Sequence, residues 1–492
     1  MLTNMKNLAW LLVLTALAML VQGYHPGLED DAYYLAAIKN NLNPALFPHD
    51  ADFFRVLFQA TAFDKLIALS IRWSHIPLPW ALLFWQVLAT FLVLWGCWRI
   101  ARRCFEENYA QWAAVAMVAA LLTLPVSGTG LSLTDQHLHP RALATALILA
   151  AIVAVLDGRR VLAGVLLLLA FPLHLNMTPF GVSYCFFLMW DPKLWPKWSS
   201  RKAQLNPAAT ALLIPLGWMF EPATPTWRQA EATRSFYFLL QWHWYEWLGV
   251  FGPLALLWWF RSLALGRGSK VMARVAECTV YFGIFQLAVA LILMLPPPLE
   301  RFRSLEPMRF LHLVYVFFVL LSGGLLGRYF LKRHVLRWLL LFVPLSAGMF
   351  YAQRQLYSGT VHLELPGRSS GNDWVEAFQW ISHNTPVDSY FALDPRYMEM
   401  EGEDYHGFRA LAERSVLADA VKDPCIVVRV PSLGPRWLRE MNAQNGWRNF
   451  QKPDFLRLKS QFGVDWVVLT NPPVPGMSCP YSNQRLAVCR VE

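Results

Sequence analysis

A chain of 492 residues that is 56% hydrophobic and 15% charged, with 32 Phe and 23 Trp, carries more apolar surface than one water-soluble core can bury. The net charge of +10 does not signal a nucleic-acid partner, because the basic residues sit in short loops between apolar runs, a pattern that orients membrane proteins. The seven cysteines form no CxxC pair, which argues against a structural zinc site.

In chain order, Lys6 and the apolar run at 8–21 read as a retained first helix, since 17–23 offers no small-x-small cleavage site. Further runs near 78–100, 110–127, 141–157, 205–220, 246–261, 275–296, 310–327 and 337–353 are each able to cross a bilayer, which takes roughly 20 apolar residues. The stretch 161–190 would be roughly 45 Å long as a single helix. Pro172 and Pro179 bracket His174, Asn176 and Thr178 in its middle, so it is expected to break into two short helices joined by a polar turn. About eleven crossings result. This threading gathers Arg99, Arg102, Arg103, Arg159, Arg160, Lys193, Lys197, Arg201, Lys202 and the basic loops near 261–274 and 328–337 on the side of the N-terminus, which is then cytoplasmic.

Two outer segments are too amphipathic to cross and are expected to lie along the interface as surface helices. These are 53–73, with Arg55, Asp64 and Lys65, and 227–244, with Arg228, Glu231 and Arg234. From about residue 353 the composition becomes that of a soluble α/β unit, with helices predicted at 373–383, 436–442 and 454–462 and strands at 464–470 and 486–491. Cys479 and Cys489 are close enough in sequence for a small disulfide in an oxidising compartment, or remain two free thiols. The expected architecture is mainly α: a polytopic transmembrane helical bundle over 1–352, with an acidic first outer loop at 24–76, and an exoplasmic α/β domain over 353–492.

The loop after the first helix reads GYHPGLEDDAYYLAAIKNNLNPALFPHDADFF. Acidic residues at a helix N-terminus are favourable by a few tenths to about 1 kcal/mol, and that explains one or two of Glu29, Asp30 and Asp31. Three adjacent acids followed by Asp50 and Asp52 exceed what capping requires. The EDDAYYL motif directly after the first helix, the interfacial helices, the number of crossings and the exoplasmic α/β tail resemble the GT-C superfamily of membrane glycosyltransferases. More narrowly, the HPGLEDDAYYL, NPALFPHDADFF and WHWYEWLG stretches resemble an uncharacterised family of bacterial membrane proteins with that architecture.

The resemblance implies transfer of a sugar from a polyprenyl-phosphate donor to a glycan, lipid or protein acceptor at the outer face of a bacterial inner membrane. A carboxylate must then receive the proton of the acceptor hydroxyl, a role for Asp30 or Asp31 with Glu29 beside them, and the departing phosphate needs positive charge. Asp30 and Asp31 point about 100° apart on a helix and cannot share one role. In the second outer loop, LTDQHLHPR places Asp135, His137 and His139 at alternate positions, where some superfamily members hold a divalent cation. This loop offers one acid and two histidines rather than a paired-acid motif. Arg309 and Arg141 suit a lipid phosphate through the planar guanidinium fork, with simple anchoring to anionic headgroups as the alternative. His174 at the broken turn, with Asp50 and Asp52, completes the expected substrate contacts. The rival readings are a non-catalytic lipid- or glycan-binding membrane protein of the same architecture and, third, a transporter. Against the transporter stand the lack of a matching pair of broken helices and the scarcity of mid-span ionisable residues.

Overall fold

The computed structural model describes residues 2–190 and 220–492. The helix expected at 205–220, and Lys193, Lys197, Arg201 and Lys202, lie outside the described residues.

The apolar runs become helices α1 (Leu2–Gln22), α5 (Leu78–Cys104), α6 (Asn108–Ala120), α7 (Pro140–Leu156), α8 (Arg160–Ala170), α9 (Thr178–Met189), α11 (Trp244–Leu265), α12 (Lys270–Met294), α13 (Leu311–Leu326) and α14 (Val335–Leu356). Among the described residues, six helical stretches are long and apolar enough to cross a membrane: Met5–Gln22, Leu78–Cys104, Trp244–Leu265, Lys270–Met294, Pro307–Leu331 and Val335–Leu356. Shorter apolar helices occupy 140–156, 160–170 and 178–189. Around α13 the bundle closes on all sides, whereas α14 is open to lipid around most of its circumference. Gly323 shows why α13 can sit so deep: a Cβ there would lie 2.5 Å from Met117 and 2.7 Å from the Ala113 carbonyl, so only glycine lets α6 approach.

Two expectations need correction. Helix α6 stops at Ala120 rather than continuing to 127, because Pro125 cannot continue the hydrogen-bond ladder and the chain instead folds into a hairpin of β1 (Pro125–Val126) and β2 (Leu131–Ser132). The segment 227–244 is not one surface helix. Helix α10 (Pro225–Glu231) gives way to 3₁₀ turns at Ser235–Tyr237 and Leu239–Gln241, as Arg234 turns to donate to the Val421 carbonyl at 2.6 Å. A tertiary anchor there overrides the helical period. The stretch 161–190 does break, at 171–177 between α8 and α9.

The loop after α1 folds into α2 (Asp31–Leu42), α3 (Asp52–Phe58) and α4 (Phe63–Ser74). The tail contributes a five-stranded sheet of order β4-β3-β5-β7-β6, formed by β3 (Tyr390–Leu393), β4 (Ser415–Val416), β5 (Trp466–Thr470), β6 (Ser478–Ser482) and β7 (Leu486–Arg490). Strands β4, β3 and β5 are parallel, while β5, β7 and β6 run antiparallel. Alternation sends Phe391, Leu393, Trp466 and Val468 into a core under α15 (Asp373–Asn384), and Tyr390, Ala392, Val467 and Leu469 into a second core under α19 (Lys452–Phe462). A disulfide joins Cys479 to Cys489.

The tail is docked on the loop after α1. Helices α16 (Phe408–Ala412), α17 (Asp423–Arg429) and α18 (Gly434–Ala443) lie between the sheet and that loop. Tyr33, Phe47, Phe53, Phe54 and Phe58 share one buried core with Trp227, Tyr237, Ile426, Val428 and Trp437. Gly407 permits the closest approach, since a Cβ there would stand 2.5 Å from Cα of Ala32 in α2. A buried ion-pair hub reinforces the contact: Arg409 pairs with Asp50 and, bidentately, with Asp423 at 2.8 and 3.0 Å.

Candidate active site

The first acidic cluster is split by its backbone. Glu29 adopts left-handed φ (+54°) and Asp30 stands at the N-cap position of α2 without a side-chain capping bond, so three consecutive carboxylates leave in different directions. Asp31 turns inward, is 1% exposed, and accepts the Gly27 N–H at 2.7 Å. Burial raises its carboxyl to about 7 despite that bond. Asp30 faces the opposite way with its side chain 35% exposed, 3.1 Å from Nζ of Lys422, 3.7 Å from Nε2 of His139 and 3.3 Å from the Tyr33 hydroxyl. Burial opposes its ionisation, but the Lys422 ammonium, with His139 and Arg309, pulls the carboxyl well below the usual carboxylate range. Glu29 shares the same Lys422 ammonium.

The hairpin loop before α7 supplies the next layer. His139 is 2% exposed, and its Nδ1 accepts the Arg141 N–H at 3.0 Å, so the neutral ring carries its proton on Nε2, toward Asp30. Burial lowers its pKa and favours that neutral form. His174, from the turn between α8 and α9, lies with its ring 5.9 Å from that of His139. Burial first, then His139, Arg309, Arg141 and Arg429, holds it well below the ordinary histidine range. Arg141 pairs with Asp135, whose carboxyl is opposed by burial and lowered chiefly by that guanidinium.

Glu306 stands in left-handed conformation at the turn before α13, ion-paired with Arg309 at 2.9 Å without hydrogen-bond geometry, and accepts from the Arg429 guanidinium at 3.0 Å. Tyr237 donates to the same carboxylate at 3.4 Å. Buried Arg309 and half-buried Arg429 share one carboxylate there, a local excess of positive charge suited to an anion.

Of the residues singled out by sequence, Asp30, Glu29, Asp135, His137, His139, Arg141, His174 and Arg309 come together. Asp31 belongs to the loop's internal hydrogen bonding, and Asp50 and Asp52 do not join the site. Asp50 is wholly buried against Arg409 and accepts the Val416 N–H at 3.1 Å, while Asp52 is exposed beside Arg436. Asp135 is committed to Arg141, His139 Nδ1 to a backbone N–H, and among the described residues no three His, Cys, Asp or Glu side chains are placed to hold a metal. His137 is buried with neither ring nitrogen hydrogen-bonded. Sequence reasoning missed Lys422, Arg429 and Glu306. The two tail residues come from about four hundred positions downstream of Asp30 in an unremarkable α/β segment, and no local pattern marks them.

Residues 66–219 match the family model described as dolichyl-phosphate-mannose-protein mannosyltransferase, a stretch that contains Asp135 to Arg141 and His174 but neither Asp30 nor the tail. That family is a GT-C family, so the GT-C likeness holds over this stretch. With six long apolar helices among the described residues, the chain is a multi-pass membrane protein. A crystal structure of the Archaeoglobus fulgidus oligosaccharyltransferase, tethered to an acceptor peptide, aligns with TM-score 0.45 and 11% identity over 94% of this chain and 69% of that one. No curated protein matches.

Proposed function

We propose that the protein transfers a sugar from a polyprenyl-phosphate donor to an envelope glycan, lipid or protein acceptor at the outer face of a bacterial inner membrane, with Asp30 as the base. The observation that carries this reading is the pairing of one part-exposed carboxylate, Asp30, with a surrounding shell of cations drawn from three regions of the chain: Arg141, Arg309, and Lys422 with Arg429. The basic last turn of α5, Arg102 and Arg103, lies at the far end of that helix from its start beside the capping loops, in keeping with a cytoplasmic opposite face.

In this reading the acceptor oxygen attacks the anomeric carbon as its proton passes to Asp30. The bond from that carbon to the phosphate oxygen breaks, and its electron pair leaves with the lipid phosphate. Arg309 and Arg429 neutralise the leaving group, with Arg141 behind them. Lys422 links the two halves. In the resting protein it suppresses the basicity of Asp30, and when it turns to an arriving phosphate the carboxylate loses its strongest counter-charge and becomes a better base. His139 Nε2–H orients Asp30. A single displacement of this kind inverts the anomeric carbon.

The test is single-turnover transfer in nanodiscs from a panel of radiolabelled polyprenyl-phosphate sugars to extracted envelope glycans. Asp30→Asn lowers the rate by about 10²–10⁴-fold, the usual contribution of a general base. Asp31→Asn, which keeps an acceptor for the Gly27 N–H, retains transfer. Equal rates for wild type and Asp30→Asn remove the proposed base.

A further inference from the structure

The tail holds a cleft that the transfer chemistry does not use. The order β4-β3-β5 places the first tail strand between the second and third parallel strands, so the chain reverses direction of winding between β3 and β5. In sheets of this kind ligands bind outside the carboxyl ends of the strands at that reversal. A cleft of 640 Å³ opens at this point, lined by Asp394 just past β3, by Thr470 at the end of β5, and by Trp447 and Arg448 from the loop before α19. Its volume is in the range of small-molecule sites.

The lining chemistry narrows the ligand. Trp447 is half-buried, propped by Phe450 and Phe455 with ring centroids at 5.3 and 5.4 Å, and offers a rigid aromatic surface. Asp394 is 8% exposed, with one oxygen accepting the Arg396 N–H at 2.8 Å. Glu399 and Glu401 add carboxylates, so three acids face the two guanidiniums of Arg396 and Arg448. That balance disfavours an anion. Carboxylates that accept from hydroxyls, guanidiniums that donate to them and an aromatic platform suit a neutral saccharide.

The cleft is also tied to the transfer site. The Pro395 carbonyl, adjacent to Asp394, accepts the Ala420 N–H at 2.8 Å, and two residues on from Ala420 stands Lys422, the partner of Asp30. We infer that this cleft binds a neutral saccharide portion of the acceptor. The inference rests on the transferase reading for its biological sense but not for its test.

The experiment titrates full-length protein in nanodiscs with maltohexaose, cellohexaose and mannohexaose, and with inorganic pyrophosphate as the anionic alternative, by isothermal calorimetry and tryptophan fluorescence. At least one neutral hexaose binds, and both Trp447→Ala and Arg448→Ala weaken it tenfold or more. Arg448→Ala removes only an exposed side chain, so an unchanged melting profile separates lost binding from lost fold. No hexaose binding to wild type, equal binding to both variants, or binding of pyrophosphate in place of saccharide overturns the inference. Asp30→Asn keeps saccharide binding in full. If that variant also keeps transfer, the catalytic reading falls while the titration still decides the cleft.

Discussion

Lys422→Met separates the proposed roles of the tail more sharply than any other single change. The ammonium is 6% exposed and bonded to Glu29 and Asp30, whose side chains are 36% and 35% exposed. Both carboxylates can therefore rehydrate when it is lost, and methionine leaves no buried charge behind, so the cost to stability is small, on the order of 1 kcal/mol. Methionine replaces the aliphatic stem with little change in volume, so the variant folds and melts close to wild type. A charged hydrogen bond to a bound phosphate is worth ~1.5–3 kcal/mol, which is roughly a 10- to 150-fold loss of donor affinity. Initial rates at varied donor concentration measure it: KM for the polyprenyl-phosphate sugar rises by that factor. The same change removes the largest influence depressing Asp30, so the acid limb of the kcat/KM profile moves to higher pH. An unchanged donor KM together with an unmoved acid limb refutes the reasoning.

The hub at Arg409 tests the docking of the tail. Arg409→Met leaves Asp50 and Asp423, both wholly buried, without their counter-charge, at a cost of ~3–5 kcal/mol, read as a lower melting temperature and faster proteolysis between the sheet and the loop after α1. His406, buried against Glu364 at 3.3 Å and against Glu403, has its pKa lowered by burial but raised overall by Glu364, to about 9. Its folded value lies above the unfolded value of about 6.5, so this contribution of ~3 kcal/mol is complete below pH ~6.5 and lost as pH rises through 9. Melting temperature therefore falls between neutral and alkaline pH in wild type, and His406→Gln flattens that fall; parallel curves contradict the assignment.

Much of the fold was legible because bilayer thickness and charge asymmetry act on contiguous runs. The break at 171–177 followed from Pro172 and Pro179, and the tail strands from their apolar content. The shortfalls have a different character. Helix α6 ended early at a proline-initiated hairpin, and 227–244 lost its helical period to long-range anchors such as Arg234. In the candidate site, EDD marked the acidic turn but not which acid turns toward Lys422 and His139. That choice was made by the left-handed turn at Glu29 and the bond from Gly27 to Asp31, features of backbone geometry. Asp50 shows the converse: an acidic loop residue that looked functional is a buried tie to Arg409. Lys422 and Arg429 were invisible because their meaning arises only when the tail folds back on the first loop.

Asp30 is proposed to face a donor phosphate held by cations from both the membrane helices and the tail. A structure of the protein with a bound polyprenyl-phosphate sugar decides this. The phosphate is then within hydrogen-bond reach of Arg309 and Arg429, Lys422 has swung from Asp30 toward it, and the anomeric carbon is turned to the Asp30 carboxylate. A phosphate seated elsewhere, with Lys422 still locked to Glu29 and Asp30, would contradict it.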